Sequence, residues 1–187
     1  MIKILQAAIL AFFLFCENSY ALEQNVMGFD PVSSINGVYT VFYERGLEDI
    51  NNCSLGTGMF LWDKEVEDWK IRALGISAAY HSFPDRNALK GLFWGPRIEI
   101  IHVKAEYSAL KYDELFKRWE ISDEKGTNVF LGFCAECGYR WILPRGVTLD
   151  ISTGLRYLVG SMELVNANIP ISGMGWTGIG LNVGYCW

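Results

Sequence analysis

The chain has 187 residues, one domain's worth, and a net charge of −5, so no basic excess argues for a nucleic-acid partner. Hydrophobic residues make up 51% and aromatic residues 14%. Beyond the N-terminal segment, no run approaches the roughly 20 apolar residues of a membrane helix. High apolar content without a long run is the product of alternation.

Met1 to Ala21 reads as a secretory signal peptide. Lys3 precedes an apolar run from Ile4 to Phe15 that only Gln6 interrupts, and Ser19-Tyr20-Ala21 supplies an A-x-A-like cleavage site. Cys16 follows bulky Phe15, a poor context for lipoprotein processing. The remaining chain, Leu22 to Trp187, is expected to form one β-barrel domain.

Leu22 to Ser34 is weakly patterned and contains Gly28 and Pro31. Ile35 to Arg45 alternates as a strand, with Val38, Thr40, Phe42 and Glu44 on one face. Gly46 to Asn52 reads as a turn. Ser54 to Trp62 is a second strand, Asp63 to Asp68 a charged connection, and Trp69 to Phe83 a third strand. Gly91 to Tyr107 is a fourth, in which Pro96 suggests a bulge because proline donates no ladder hydrogen bond. Ser108 to Gly126 reads as a charged outer loop or as strand extensions, and Val159 to Gly173 as another long loop.

Between them lies the clearest signal, the hairpin Asn128 to Tyr157 around Pro144-Arg145-Gly146. Val129, Leu131, Phe133, Tyr139, Trp141, Leu149, Ile151, Leu155 and Tyr157 share one face. Glu136, Arg140, Asp150 and Arg156 share the other, among glycines. Met174 to Trp187 closes the chain with Thr177, Ile179, Leu181, Val183, Tyr185 and Trp187 on its outward face. These runs reach the length of a tilted membrane strand, about ten residues. Period 2 alone leaves open a soluble sandwich or a secreted, lipocalin-like binding barrel with the apolar face inward. Trp62, Trp69, Trp94, Trp141 and Trp187 near strand ends suit an interfacial girdle and favour the membrane.

The expected fold is therefore all-β: an antiparallel up-and-down transmembrane β-barrel of about eight strands. Seven are clear, and the missing one falls in Glu23 to Val32. Glu44, Arg97, Glu99, Glu136, Arg140, Asp150 and Arg156 all take the inward register. An unpaired buried charge costs several kcal/mol, so an ion-pair network filling the lumen is expected, with Arg97–Glu44 as its link to the opposite wall.

No metal or cofactor site is expected. Cys134 and Cys137 form C-x-x-C, but three residues along a strand put the side chains on opposite faces, and no second pair completes a zinc site. Cys134 and Cys186 share the inward parity, which leaves a disulfide across the lumen open beside the reading of all four as free thiols. His81-Ser82, the only adjacent His–Ser pair, diverges for the same reason, so no catalytic residues are assigned. His102 lacks a placeable acid partner.

Tyr43-Glu44-Arg45-Gly46-Leu47, Gly91-Leu92-Phe93-Trp94-Gly95-Pro96 and Cys137-Gly138-Tyr139-Arg140-Trp141 mix aromatics, glycine and an occasional inward charge. In this the chain resembles the small outer-membrane barrels of the OmpA, OmpX and OmpW type. The ending on Tyr185 and Trp187 is similar to the terminal strand that the barrel assembly machinery reads in such proteins. The resemblance implies a non-catalytic outer-membrane protein of envelope-structural, adhesive or small-molecule-conduit role. Its implied partners are outer-membrane lipid, the assembly machinery and, as a further candidate, a small hydrophobic ligand. Some eight-stranded barrels modify lipid A, which makes a deacylase-like hydrolase the alternative.

Overall fold

A computed structural model describes residues 24–47, 52–66, 69–84, 89–113, 118–164 and 167–187. The segment read as a signal peptide lies outside them. Eight antiparallel strands close into a barrel in chain order: β1 (Asn25–Phe29), β2 (Val38–Gly46), β3 (Cys53–Val66), β4 (Trp69–Ser82), β5 (Gly91–Asp113), β6 (Arg118–Ile142), β7 (Val147–Leu164) and β8 (Ala167–Cys186). The eighth strand is β1, five residues inside the weakly patterned stretch. It pairs with β2 over Asn25↔Arg45 to Phe29↔Val41 and closes the barrel on β8 over Val26↔Cys186 to Phe29↔Val183. Trp187 strengthens this seam: its carbonyl accepts from the backbone N–H of Gln24 and Asn25, and its own N–H donates to Asn25. Tyr185 and Trp187 stack at 6.3 Å, with Tyr43 at 6.4 Å from Trp187.

Several expectations are corrected. The strand expected from Ile35 starts at Val38, because Pro31–Ile35 is a short helix, α1. Asp30 caps it, accepting from the N–H of Val32 and Ser33 at 2.9 Å each, and Pro31 starts the first turn, where a missing N–H does no harm. Gly37 then reverses the chain at φ +80°, where a Cβ would lie 2.9 Å from the Asp63 carbonyl. Asp63 continues β3 as far as Val66 instead of opening a connection. Of the two readings of Ser108 to Gly126, strand extension is the one the structure has and the loop is not, apart from residues 114–117, which are not described. Val159 to Gly173, apart from residues 165–166, which are not described, is strand and not loop: β7 and β8 pair from Val147↔Tyr185 up to Leu164↔Ala167.

Pro96 makes no bulge, since the β4–β5 register is the same at Ala79↔Arg97 and Ser82↔Trp94. Gly95 beside it lets the Tyr80 carbonyl approach to where a Cβ would stand, so the chain absorbs the proline without an inserted residue. The bulge falls in β8 instead, at Gly178 (φ +82°): between the pairs Thr153↔Ile179 and Leu155↔Trp176, one residue of β7 (Gly154) opposes two of β8 (Thr177 and Gly178). The extra residue flips the parity above it. Trp176 and Met174 point outward, and Thr177, expected outward, lines the lumen.

Inside the barrel, bulk and absence alternate. Phe42, Phe60, Phe93 and Phe130 each stand directly across the ladder from a glycine: Gly28, Gly75, Gly138 and Gly160. A Cβ on any of these glycines would come within 2.7 Å of the facing ring. A ring laid over a bare backbone fills a narrow lumen with little side-chain entropy lost, and covers a glycine that sheets otherwise disfavour. At the end holding both described termini, Val26, Leu89 and Cys186 are buried together with Phe42 and Ile142 beside them. Phe83 and Phe93, 5.8 Å apart, complete an apolar floor.

The Phe–Gly pairing predicts a non-additive double-mutant cycle. The atoms nearest a Gly75→Ala methyl all belong to the Phe60 ring, whereas the nearest to a Gly138→Ala methyl is the Ile151 carbonyl oxygen. Gly75→Ala should cost about 1–3 kcal/mol and be largely rescued by Phe60→Leu. Phe93→Leu should leave Gly138→Ala unrescued, because a main-chain atom cannot step aside. Thermal unfolding of the four variants in detergent checks this, and equal rescue in both pairs would refute it.

Candidate functional site: a charge network in the lumen

The cross-strand ladder fixes where each inward charge stands. Arg140 on β6 is the direct partner of Asp150 on β7, and its guanidinium takes that carboxylate in a fork: Nε to Oδ1 and Nη2 to Oδ2, both at 2.8 Å. The same Nη2 crosses the lumen to Glu44 Oε2 on β2 at 2.7 Å. All three side chains are only 2% exposed. The guanidinium plane lies between Phe93 and Phe42, 5.6 and 5.9 Å from their centroids. Among the described residues Nη1 finds no acceptor, and the two rings flank the guanidinium.

Glu44 is the hub. Its Oε1 accepts from the Ser54 hydroxyl and lies 2.9 Å from His81 Nδ1. His81 Nε2 in turn lies 2.5 Å from Glu136 Oε1. Glu136 Oε2 takes Arg97 Nη1 at 2.6 Å. Arg97 Nε is 2.8 Å from Glu99 Oε1, and Arg156 Nε is 3.0 Å from Glu99 Oε2, neither contact aligned as a hydrogen bond; Arg156 Nη2 donates to Glu99 Oε1 at 3.3 Å. The chain of contacts thus runs Asp150–Arg140–Glu44–His81–Glu136–Arg97–Glu99–Arg156. It ties together β2, β4, β5, β6 and β7, and Ser54 on Glu44 adds β3.

All seven residues expected in the lumen belong to this chain of contacts. The expected Arg97–Glu44 link is not among them: Arg97 is taken by Glu99 and Glu136, and Arg140 and His81 reach Glu44. Sequence reasoning missed His81. The parity that set Ser82 aside as its catalytic partner also points His81 inward, and that half of the inference was available. Ser54, His81 and Glu44 assemble a hydroxyl, an imidazole and a carboxylate, but in an order unlike a hydrolase. Serine donates to the carboxylate, and both imidazole nitrogens face carboxylate oxygens, leaving none to accept the serine proton.

None of Cys53, Cys134, Cys137 and Cys186 is in a disulfide. Cys134 is buried and Cys137 exposed, as their odd spacing requires. Cys186 packs in the apolar floor, so the contact across the lumen open to Cys134 and Cys186 is not made. Trp62, expected in an outer girdle, lines the lumen, whereas Trp94 and Trp141 are exposed on the outward face. Among the described residues no group of three or more His, Cys, Asp or Glu has the geometry to hold a metal ion.

Above the network the lumen holds a cavity of about 390 Å³. Arg97, Glu99, Glu136 and Arg156 form its floor, with Asp30, Ser33, Thr40, Ser77, Thr177 and Asn182 among its walls. A smaller cavity of about 110 Å³ lies against Glu44, His81 and Arg140. No family model matches this chain, and neither a curated protein nor a solved structure does.

The network yields two predictions. Arg140→Ala leaves Glu44 and Asp150 buried without their cation and should destabilise by about 3–5 kcal/mol. Arg145→Ala removes an exposed turn side chain and should cost less than about 0.5 kcal/mol. The two unfolding temperatures in detergent test this; equal shifts would remove the energetic case for the network. The filled lumen and apolar floor also predict no nanosiemens-size conductance in planar bilayers, and such openings would place the protein among porins.

Proposed function

We propose that the chain is a non-catalytic integral outer-membrane β-barrel, whose role in the envelope is structural, adhesive or that of a small-molecule conduit. One observation carries the membrane reading: the barrel is inside out relative to a soluble one. Its buried polar set includes Glu44, Glu99, His81, Arg140 and Asp150, while large apolar side chains of β3 to β8 stand exposed. The outward rows run around the wall: Met59, Ile76, Ile100, Leu131 and Val159 are successive ladder partners, and so are Thr57, Ala78, Ile98, Phe133 and Tyr157. A soluble barrel that bound a ligand would bury these residues and solvate the charges. In water, so continuous an exposed apolar belt is a liability; in a bilayer it is the favourable face.

The belt has a polar limit. The outward face changes character at Asp63, Arg72, Lys104 and Thr127, which are consecutive partners on β3, β4, β5 and β6. Beyond it β5 and β6 rise further, to 23 and 25 residues, more than the roughly 9–11 that cross a bilayer. Ion pairs suited to water lie at this end: Arg72 with Asp63, Lys125 with Glu106, and Lys70 with Glu65 at 2.6 Å. The Lys70 ammonium holds the Glu65 carboxyl below its ordinary range. Among the described residues no helix is long and apolar enough to cross a membrane; a crossing made by strands is a separate matter.

Expression in a Gram-negative host tests the proposal. The expected outcome is a protein that floats with outer-membrane vesicles, resists carbonate extraction and migrates faster on gels before boiling than after. Recovery of a folded, soluble protein from the periplasm would overturn it.

A further inference from the structure

The wall of the barrel is not equally complete all round. β8 has twenty residues, yet only Val183 to Cys186 pair with β1. β1 stops at Phe29, and α1 takes the place its continuation would have had, packing against β2 and β8. From Ser172 to Asn182 the β8 edge therefore has no β1 partner. Space is open beside it: a Cβ built on Gly173, Gly175 or Gly178 meets nothing within 4 Å among the described residues, unlike those on the lumen glycines elsewhere. The cavity of about 390 Å³ lies at this edge, since Asp30 and Ser33 at the start of α1 and Thr177 and Asn182 of β8 line it together.

The two borders of the gap are apolar outside. Met174, Trp176 and Ile179 on β8 are 75%, 66% and 64% exposed, and Ile35 at the end of α1 is 85% exposed. The floor inside is charged and uneven. The Arg97 and Arg156 side chains are 25% and 31% exposed, whereas Glu99 and Glu136 are withdrawn at 4% and 8%. A molecule entering the cavity meets guanidinium N–H groups first, with hydroxyls of Ser33, Ser77 and Thr40 around them. Both arginines stand in one ladder row, either side of Cys134, to whose Sγ Arg97 Nη2 donates at 3.8 Å, so the N–H bonds not spent on Cys134, Glu99 and Glu136 can converge on one multi-oxygen anion.

We propose that this gap is a lateral portal, through which the cavity takes the phosphate-bearing head group of a membrane lipid while the acyl chains stay outside in the bilayer. Arg97 and Arg156 are the anion contacts, and the Met174–Trp176–Ile179 edge and Ile35 border the chains. The inference rests on the reading of the barrel as membrane-embedded. Phosphate could also arrive as a free solute, and the test separates the two sources.

The purified barrel is inserted into vesicles of phosphatidylethanolamine and phosphatidylglycerol, its insertion is checked by flotation and heat-modifiable migration, and it is then released in mild detergent for native mass spectrometry. One retained phospholipid per barrel is expected. Arg156→Gln should lower retention about tenfold, the loss of one charge-assisted contact. Gly175→Trp removes no charge; it fills open space beside Arg156, its ladder partner, and should lower retention as much. Arg145→Gln, at the far turn, should change nothing. Inorganic phosphate at millimolar concentration should not displace the lipid. Equal retention in wild type, Arg156→Gln and Gly175→Trp overturns the portal, as does no retention by an inserted barrel. Displacement by inorganic phosphate makes the cavity a solute site. A barrel that fails to float with the vesicles sinks the membrane reading itself, and the portal with it.

Discussion

A guanidinium 2% exposed in the middle of a barrel is the constraint on which the rest of this structure turns. Arg140 stays charged at any ordinary pH, so its surroundings must supply anions or it will not be buried. One carboxylate, Asp150, is guaranteed by the hairpin register. The second, Glu44, comes from the far wall, 96 residues earlier, and this draws β2 across the lumen towards β6. Glu44 then needs further donors for its other oxygen, and Ser54 and His81 meet that need. His81 brings in Glu136, which requires Arg97, which shares Glu99 with Arg156. Each group is there because its neighbour would otherwise be a charge inside the barrel without a counter-charge.

Such a network is directional where apolar packing is not. Apolar side chains on the outer face would tolerate sliding of one strand past another by two residues, since the same face is presented. The lumen would not tolerate it, because a two-residue slip would separate Arg140 from Asp150. Register in this barrel is therefore specified from inside, by charges and by the four phenylalanines that each need a glycine opposite. The outer face sets which side of each strand is out; the inner face sets how far along it sits.

The same division decides how much of the molecule is legible in its sequence. Parity is a local property, so the inward charges can be read from single strands, and His81 escapes only when it is weighed for catalysis alone. Partners are not local. Which carboxylate meets Arg97 depends on barrel diameter and strand tilt, and no strand reveals either alone. Val159 to Gly173 reads as a loop because Asn168, Pro170 and Gly173 mimic turn chemistry, yet those three residues lie in β8. Pairing with a long, well-patterned neighbour overrides such local preferences. α1 is hidden for the opposite reason: one turn of helix has no periodicity to detect, and only Asp30-Pro31 announces it.

At Gly178 the parity itself breaks, and the bulge there has structural consequences. Below it, β8 obeys the alternation that begins at Trp187 and counts back through Tyr185, Val183 and Leu181. Above it, the outward residues are Trp176 and Met174, one step out of phase, and Thr177 turns to the lumen. The bulge therefore does two things at once: it adds a hydroxyl to the cavity wall and puts two large apolar side chains on an edge that β1 leaves uncovered. Had β8 kept its phase, Thr177 and Gly175 would border the gap on the outside, and Trp176 would fill the space above Arg156. An open cavity beside an apolar edge is thus the consequence of one inserted residue in a glycine-rich strand, where the insertion costs least.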